Sequence, residues 1–178
     1  IHSPWVPRPG PTRRLRADHG EHDGPVQVHR GTDAGRWVVT WPWSGAGRAR
    51  TIADDWGHAE VELRAHWWNR NYVGVHFGGS LFAMTDPFWM LLAVHRLGRE
   101  YIVWDKAGEI AFLKPGRGTV RARFRLDDAT LDEIRAATAD GGKHLRWFET
   151  EIIDADGEVV ARARKQLHVR RKHDSPSA

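Results

Sequence analysis

The 178-residue chain contains no cysteine. That absence excludes a disulfide, a thiolate nucleophile and any metal site built on cysteine ligands. It also fits a reducing compartment, so we expect a cytoplasmic protein. The sequence has no apolar leader after its first basic residues and no uninterrupted apolar run long enough to cross a bilayer. Neither a signal peptide nor a membrane span is therefore predicted.

Basic residues are in slight excess, but the excess is confined to the first part of the chain. Residues 1–50 hold 8 Lys and Arg against 4 Asp and Glu, which gives +4, whereas residues 51–178 hold 19 of each, which gives zero. A groove that follows a phosphate backbone needs basic side chains gathered on one folded face. Nucleic acid is therefore not an expected partner.

Proline is concentrated at the same end, where six of the nine prolines fall within residues 1–45. This composition predicts a flexible or poorly defined extension over 1–45, in which segment 35–43 would be a short strand or an apolar flap. Residues 46–172 are predicted to form one domain and 173–178 a C-terminal tail. His19 and His22 form an isolated pair in the extension, and we predict no metal site.

The longest apolar segment covers residues 71–97 and contains one acidic residue, Asp86. Between Gly78 and Leu97 only five residues are polar, so a helix here would be apolar on nearly every side and is expected to be buried. Gly98 is predicted to end it. The pair Gly78–Gly79 lies at its start, where unpaired backbone amides attract an anion or a developing oxyanion.

Alternating apolar and polar residues predict strands on both sides of this segment. The pattern is clearest in 58–67 and 119–126; residues 101–104 and 109–113 are also typical of strands, and 145–169 reads as a hairpin. A second, smaller helix is indicated by the T-x-x-E pair Thr130 and Glu133. The predicted fold is α+β, a curved antiparallel sheet wrapped around one long central helix with a small inserted helix.

A motif frame, N-x-x-G-x-x-x-G-G-x6-D, joins Asn71, Gly74, Gly78, Gly79 and Asp86. Together with FLKPGRGT at 112–119, it resembles the active-site stretch of hotdog-fold acyl-CoA thioesterases. The stretches WWNRNYVGVHFGGSLFAMTDPFW and VVARARKQLHVRRK are similar, more narrowly, to a bacterial domain-of-unknown-function branch labelled tetrameric acyl-CoA thioesterase. The resemblance covers roughly residues 46–172.

The resemblance implies a hotdog fold, hydrolysis of an acyl-CoA to free acid and CoA, and a homodimer or dimer of dimers. Coenzyme A would enter only as part of the substrate, with no separate cofactor. Members of this family commonly have histidine immediately before the glycine pair, whereas this chain has Phe77 there and His76 one residue earlier. The main alternative is therefore a non-catalytic acyl-CoA or lipid-binding protein. A third possibility is a hotdog dehydratase or hydratase, which would need His76 and Asp86 to face each other across one pocket.

Thioester hydrolysis needs an oxyanion stabiliser and a base or nucleophile. The amides of the helix start, Gly79 foremost, would provide the first, and a poorly hydrated Asp86 carboxylate the second. Asp86 precedes a proline, so it is alternatively a simple helix N-cap. Asn71 either positions water or substrate or is a turn residue. The residues expected to contact substrate are Gly78, Ser80, His76, Phe77, Phe82, Trp89 and Trp104.

Spacing along the helix limits what one chain can do. On a continuous helix Gly79 and Asp86 would lie roughly 10 Å apart, whereas a reacting carbonyl has to sit about 3 Å from both groups. The sequence therefore predicts a site shared between two subunits. Lys165 lies on the apolar side of the last strand pattern, so it is predicted to need an acidic partner or a ligand phosphate.

Overall fold

A computed structural model describes residues 27–30, 37–40 and 47–172 of the protein. The strands are β1 (Gln27–Arg30), β2 (Trp37–Thr40), β3 (Gly47–Ile52), β4 (His58–Arg64), β5 (Tyr101–Phe112), β6 (Thr119–Arg125), β7 (Lys143–Ile153) and β8 (Val159–Arg171). The helices are α1 (Gly78–Ala83), α2 (Phe88–Leu97) and α3 (Asp128–Ala137), with a short 3₁₀ turn at Trp67–Asn69. The predictions for His19, His22 and the tail 173–178 fall outside these ranges.

The six strands β3 to β8 form one curved antiparallel sheet in the order β3-β4-β6-β7-β8-β5. Strands β1 and β2 form a separate antiparallel pair, so segment 35–43 contains the short strand that was one of its two expected forms. The predicted alternation holds along the sheet, since Ala59, Val61 and Leu63 of β4 are all buried on one face. The two β-rich stretches after the central segment join into the single strand β5 through a bulge at Lys106, between Asp105 and Ala107.

The central helical segment runs from Gly78 to Leu97, as predicted, and residues 84–87 interrupt it. The interruption contains the Asp86–Pro87 peptide bond, which is cis. A proline inside a continuous helix has no amide to donate and costs about 3 kcal/mol, so the chain leaves the helix here and begins α2 at Phe88. Gly98 ends α2 with a φ of 91°, a conformation that favours glycine.

Helix α2 packs against the inner face of the sheet through aromatic contacts. The ring of Phe88 stacks on that of Phe124 at 4.9 Å between centroids, and Trp89 meets the same Phe124 ring edge-on at 4.8 Å. All three side chains are buried in one core cluster with residues of β3, β4, β6, β7 and β8. In the described ranges, no helix has the length and apolar character that crossing a bilayer requires.

The start of α3 differs from the prediction. Asp127 is the N-cap, and its carboxylate accepts a hydrogen bond from the Thr130 amide at 2.9 Å. The predicted capping box of Thr130 and Glu133 is therefore wrong, because Asp127 already caps the helix and the Glu133 carboxylate instead accepts hydrogen bonds from Arg146 of β7. The helix buries the predicted stripe of Leu131, Ile134 and Thr138.

Truncating the aromatic side chain that links α2 to the sheet should destabilise the fold strongly. We expect Phe124→Ala, at a residue 1% exposed, to lower the free energy of unfolding by about 3 to 5 kcal/mol, because it leaves a cavity between Phe88 and Trp89. The measurement is urea-induced unfolding followed by far-ultraviolet circular dichroism. Leu145→Ala, at a β7 residue 41% exposed, is the control and should cost about 1 kcal/mol or less. Equal urea midpoints for the two variants would contradict the role of Phe124 in joining α2 to the sheet.

Candidate active site

The loop that enters α1 is shaped by Asn71. Its side-chain oxygen accepts hydrogen bonds from the amides of Val73 at 3.1 Å and Val75 at 3.2 Å. Its backbone carbonyl accepts from the amide of Gly74, a residue with a φ of 78°. The turn role left open for Asn71 is therefore present, and the residue also lines the cleft described below.

The sequence predicts that the amides of Gly78 to Ser80, at the start of α1, are available, and two of the three are. The Ser80 amide donates to the Phe77 carbonyl at 2.9 Å. Within residues 47–172, the amides of Gly78 and Gly79 have no acceptor. A Cβ on Gly78 would come 2.7 Å from the Phe112 ring, and one on Gly79 would come 2.4 Å from the Phe77 ring. Glycine at both positions therefore lets two aromatic rings lie directly against the helix start.

An open cleft of about 660 Å³ lies beside this helix start. Its walls come from the loop that precedes α1 and from the segment that follows β5, and they are mainly apolar. The lining residues include Asn71, Val73, Val75, His76, Phe77, Gly78, Leu81 and Phe112. The cleft is thus mainly apolar, as ligand pockets usually are, and Gly78, one of the two residues with a free amide, lines it.

His76 lies in the wall of this cleft and is 3% exposed. Its Nε2 is 2.9 Å from the Gly118 carbonyl oxygen, which can only accept, so Nε2 carries the proton. Its Nδ1 is buried and has no partner among the described residues. Burial lowers the pKa of His76, the hydrogen bond to Gly118 opposes that shift, and the Arg70 charge adds to it. The ring is therefore a neutral, partly satisfied histidine.

Asp86 lies in the interruption between α1 and α2, and its side chain is 54% exposed in the isolated chain. Its carboxylate accepts a hydrogen bond from Lys165 of β8. Neither the poorly hydrated environment nor the N-cap role expected from the sequence is present. The N-cap of α2 is Pro87, and no side chain caps that helix.

Lys165 is the residue whose need for an acidic partner the sequence predicted, and it has two. Its side chain is 9% exposed; its ammonium contacts Asp86 and lies 3.5 Å from the Asp105 carboxylate. Sequence reasoning missed Asp105, because the bulge at Lys106 shifts the alternation of β5 and only the observed register places Asp105 opposite Leu167 on the inner face. The sequence offered one indication of such a partner, namely that Lys165 lies on the apolar side of the last strand pattern.

Of the four aromatic residues predicted to contact substrate, Phe77 lines the cleft and the other three lie in three different places. Phe82 packs against Lys165, with its ring centroid 5.1 Å from the ammonium. Trp89 is 3% exposed and belongs to the core. Trp104 stacks on His168 at 4.4 Å, on the face of the sheet opposite the helices, since both neighbours of His168 along β8 are buried. The structure thus brings His76, Phe77 and Gly78 together at the cleft, places Phe82 near Asp86, and separates Trp89 and Trp104 from both.

The free amides and the Asp86 carboxylate lie near different positions along strand β5. Gly78 lies against Phe112, whereas Lys165, which holds Asp86, is paired across the ladder with Gly108. Four residues of antiparallel strand span about 13 Å. Within one chain, the free amides and the Asp86 carboxylate thus lie against different parts of β5.

Solved structures with a similar fold include proteins described as thioesterases or as probable or hypothetical thioesterases. One is a protein of unknown function from Pseudomonas aeruginosa, described as a probable thioesterase, with 21% identity over 70% of this chain and 83% of that chain and a TM-score of 0.62. Another is a thioesterase from Haemophilus influenzae, with 15% identity over 74% and 82% and a TM-score of 0.53. A third is a hypothetical thioesterase from Streptococcus pneumoniae, with 17% identity over 72% and 93% and a TM-score of 0.53. These matches confirm the predicted hotdog fold.

The sequence model of the family described as "Domain of unknown function (DUF4442)" matches residues 36–169. The chain belongs to this family. No curated protein sequence matches it.

The buried His76 should make stability depend on pH in a defined window. Because burial lowers its pKa in the folded state below the ordinary value of 6.5, the unfolded chain takes up the proton first as the pH falls through 6.5. The native state therefore loses stability from that pH down to the lowered pKa and no further. We expect His76→Gln, which can still donate to Gly118, to show a shallower loss between pH 7 and pH 5 in urea unfolding.

His95 provides the comparison, because partial desolvation lowers its pKa as well, although this residue is exposed. His95→Gln should remove a separate part of the same slope, and the two effects should add in the double variant. A slope unchanged from wild type in His76→Gln would show that His76 is not held neutral by the fold.

Proposed function

We propose that the protein hydrolyses an acyl thioester, with an acyl-CoA as substrate and free acid and CoA as products, at a site shared by two copies of the chain. The observation that carries the proposal is the pair of free amides at Gly78 and Gly79 beside an apolar cleft. The carboxylate of Asp86 lies at the opposite end of α1 and is held there by Lys165.

Each half of this arrangement has a role in hydrolysis. The thioester carbonyl oxygen accepts hydrogen bonds from the Gly78 and Gly79 amides, which stabilise the negative charge that develops on it. The Asp86 carboxylate takes a proton from a water molecule as the water oxygen attacks the carbonyl carbon. The tetrahedral intermediate then breaks its C–S bond, and the leaving thiolate receives the proton from Asp86. A direct attack by Asp86 on the carbonyl is the alternative route through the same residues.

Strand β5 provides a way to bring the two halves together. It is 12 residues long and forms one edge of the sheet, with β8 on its inner side. A long edge strand left open is a site of uncontrolled pairing, and a second copy of the same strand covers it. If two copies pair antiparallel with the two-fold axis at Ile110, Gly108 of one stands opposite Phe112 of the other. Asp86 of one copy then approaches the free amides of its partner, as the dimer implied by the family resemblance requires.

One observation favours the alternative of a non-catalytic acyl-thioester or lipid-binding protein. The Phe77 ring, 56% exposed, lies against Gly79 at the position where family members commonly carry histidine. An aromatic ring there adds apolar surface for a ligand and provides no proton transfer. Hydratase chemistry has no such support, because no contact in residues 47–172 joins His76 to Asp86.

Replacing the carboxylate should abolish turnover and preserve the fold. We expect Asp86→Asn to lower kcat for acyl-CoA hydrolysis by about 10² to 10⁴, since the amide cannot accept the proton, while Lys165 keeps Asp105 as a partner. Thiol release from a panel of acyl-CoAs measures the rate, and Asp132→Asn, an exposed carboxylate on α3, is the matched control. Wild-type turnover in Asp86→Asn would remove this residue from the mechanism. Acyl-CoA binding without turnover in the wild type would favour the binding protein.

A shared site can be tested by mixing two inactive chains. Gly79→Val pushes the Phe77 ring away and closes the amide half, and Asp86→Asn removes the carboxylate half. Co-expressed with different tags, random pairs should recover roughly a quarter of wild-type activity, since half the dimers are hybrids and each hybrid has one intact site. Co-expressed chains that remain inactive although hybrid dimers are isolated, or a stable active monomer in sedimentation, would contradict the shared site.

A further inference from the structure

Lys165 is a buried ammonium that the proposed chemistry does not yet use. It stands on the inner face of β8 between the buried residues Ala163 and Leu167, and its side chain is 9% exposed. A charge removed from water in this way is tolerated only when it is paired with an opposite charge and hydrogen-bonded. Its two partners come from different elements, Asp86 from the α1–α2 interruption and Asp105 from β5.

The glycine opposite Lys165 leaves space for the lysine side chain. Gly108 is its cross-strand neighbour on β5. A Cβ on Gly108 would come 3.2 Å from the Lys165 Cδ and 2.6 Å from the Phe82 Cζ. The missing side chain therefore leaves the space in which the lysine stem and the Phe82 ring lie together, with the ring centroid 5.1 Å from the ammonium. The lysine is thus fixed by packing as well as by charge.

We propose that Lys165 is a positioning residue for Asp86, whose carboxylate it aims towards the shared site, and that Asp105 competes for the same ammonium and limits how strongly Asp86 is held. This inference rests on the proposed function, in which Asp86 is the reacting carboxylate. It adds two residues, Lys165 and Asp105, that touch neither substrate nor reacting atoms and act through Asp86.

The two carboxylates differ in their exposure to water. The Asp86 side chain is 54% exposed, which leaves it free to reach a substrate, whereas that of Asp105 is 28% exposed. Burial raises the pKa of Asp105, the Lys165 charge opposes the shift and the Asp86 charge adds to it. The charged groups that face Asp105 are thus Lys165 from β8 and Asp86 from the helix interruption. Asp105 is the member suited to take up a proton within the cluster and so release the ammonium to Asp86.

The test is a pair of variants with opposite expected effects on the pH profile of kcat/KM for an acyl-CoA. Lys165→Met removes the cation and leaves two carboxylates together, so the acidic limb of the pH profile should move to higher pH. In the same variant kcat at pH 7 should fall about tenfold or more, whereas KM should change less than about threefold. Asp105→Asn leaves the cation to Asp86 alone, so the limb should move to lower pH. Lys143→Met, at an exposed lysine of β7, is the control and should leave the profile unchanged. Shifts in the same direction, or none in either variant, would overturn the proposal.

A second measurement does not depend on turnover. A double-mutant cycle of Asp86→Asn and Lys165→Met in urea unfolding should show a coupling of about tenfold in the unfolding equilibrium constant. Additive effects would overturn the positioning role even if the protein hydrolyses thioesters. Coupling in a protein that hydrolyses none would overturn the proposed function while keeping Lys165 as the residue that positions Asp86. If Lys165→Met fails to fold, the Asp105→Asn variant decides the question alone: a shift of the acidic limb of its pH profile to lower pH supports the proposal, and no shift or a shift to higher pH overturns it.

Discussion

The constraint on which the rest of the structure depends is the burial of the apolar segment between Gly78 and Leu97. A helix that is apolar on nearly every side has to be covered, and the six-stranded sheet covers it. The segment cannot remain one regular helix, because Pro87 interrupts it. The interruption lets one acidic residue, Asp86, leave the apolar layer and reach the surface.

The two ends of α1 therefore have different chemical properties. At its start, the amides of Gly78 and Gly79 are unpaired, and the rings of Phe112 and Phe77 lie against the Cα positions of these two glycines. Beyond its end, Asp86 carries a negative charge next to a buried lysine. About 13 Å of β5 separates the positions against which they lie, so the proposed reaction, which needs both groups at one carbonyl, takes them from two copies of the chain. Assembly of two copies is thus part of the proposed chemistry.

Much of the fold could be predicted from the sequence because its periodic patterns are strong. The alternation of Ala59, Val61 and Leu63 and the single apolar segment were sufficient to predict a sheet wrapped around a helix, and Gly98 ended that helix as expected. The cap of α3 was missed because Asp127 and Thr130 are both good capping residues, and only geometry decides between them. The environment of Asp86 was misjudged because an apolar sequence context indicates little about exposure once the chain turns at a proline.

Side-chain partners across the sheet were the least predictable feature. Lys165 could be recognised as unpaired, but its partners Asp86 and Asp105 lie 79 and 60 residues away. The position of Asp105 further depends on one extra residue in β5. Such contacts depend on strand register, which the sequence pattern fixes only where alternation is unbroken.

The bulge at Lys106 has a consequence for how another strand could pair with the edge of β5. It divides the edge of β5 into the stretches 101–105 and 107–112, so that an unbroken ladder with another strand can run along only one of them at a time. A second strand whose pairing register crosses the bulge would lose hydrogen bonds there. Only the few registers that avoid the bulge keep an unbroken ladder. The irregularity therefore limits the registers in which a further strand can pair with this edge.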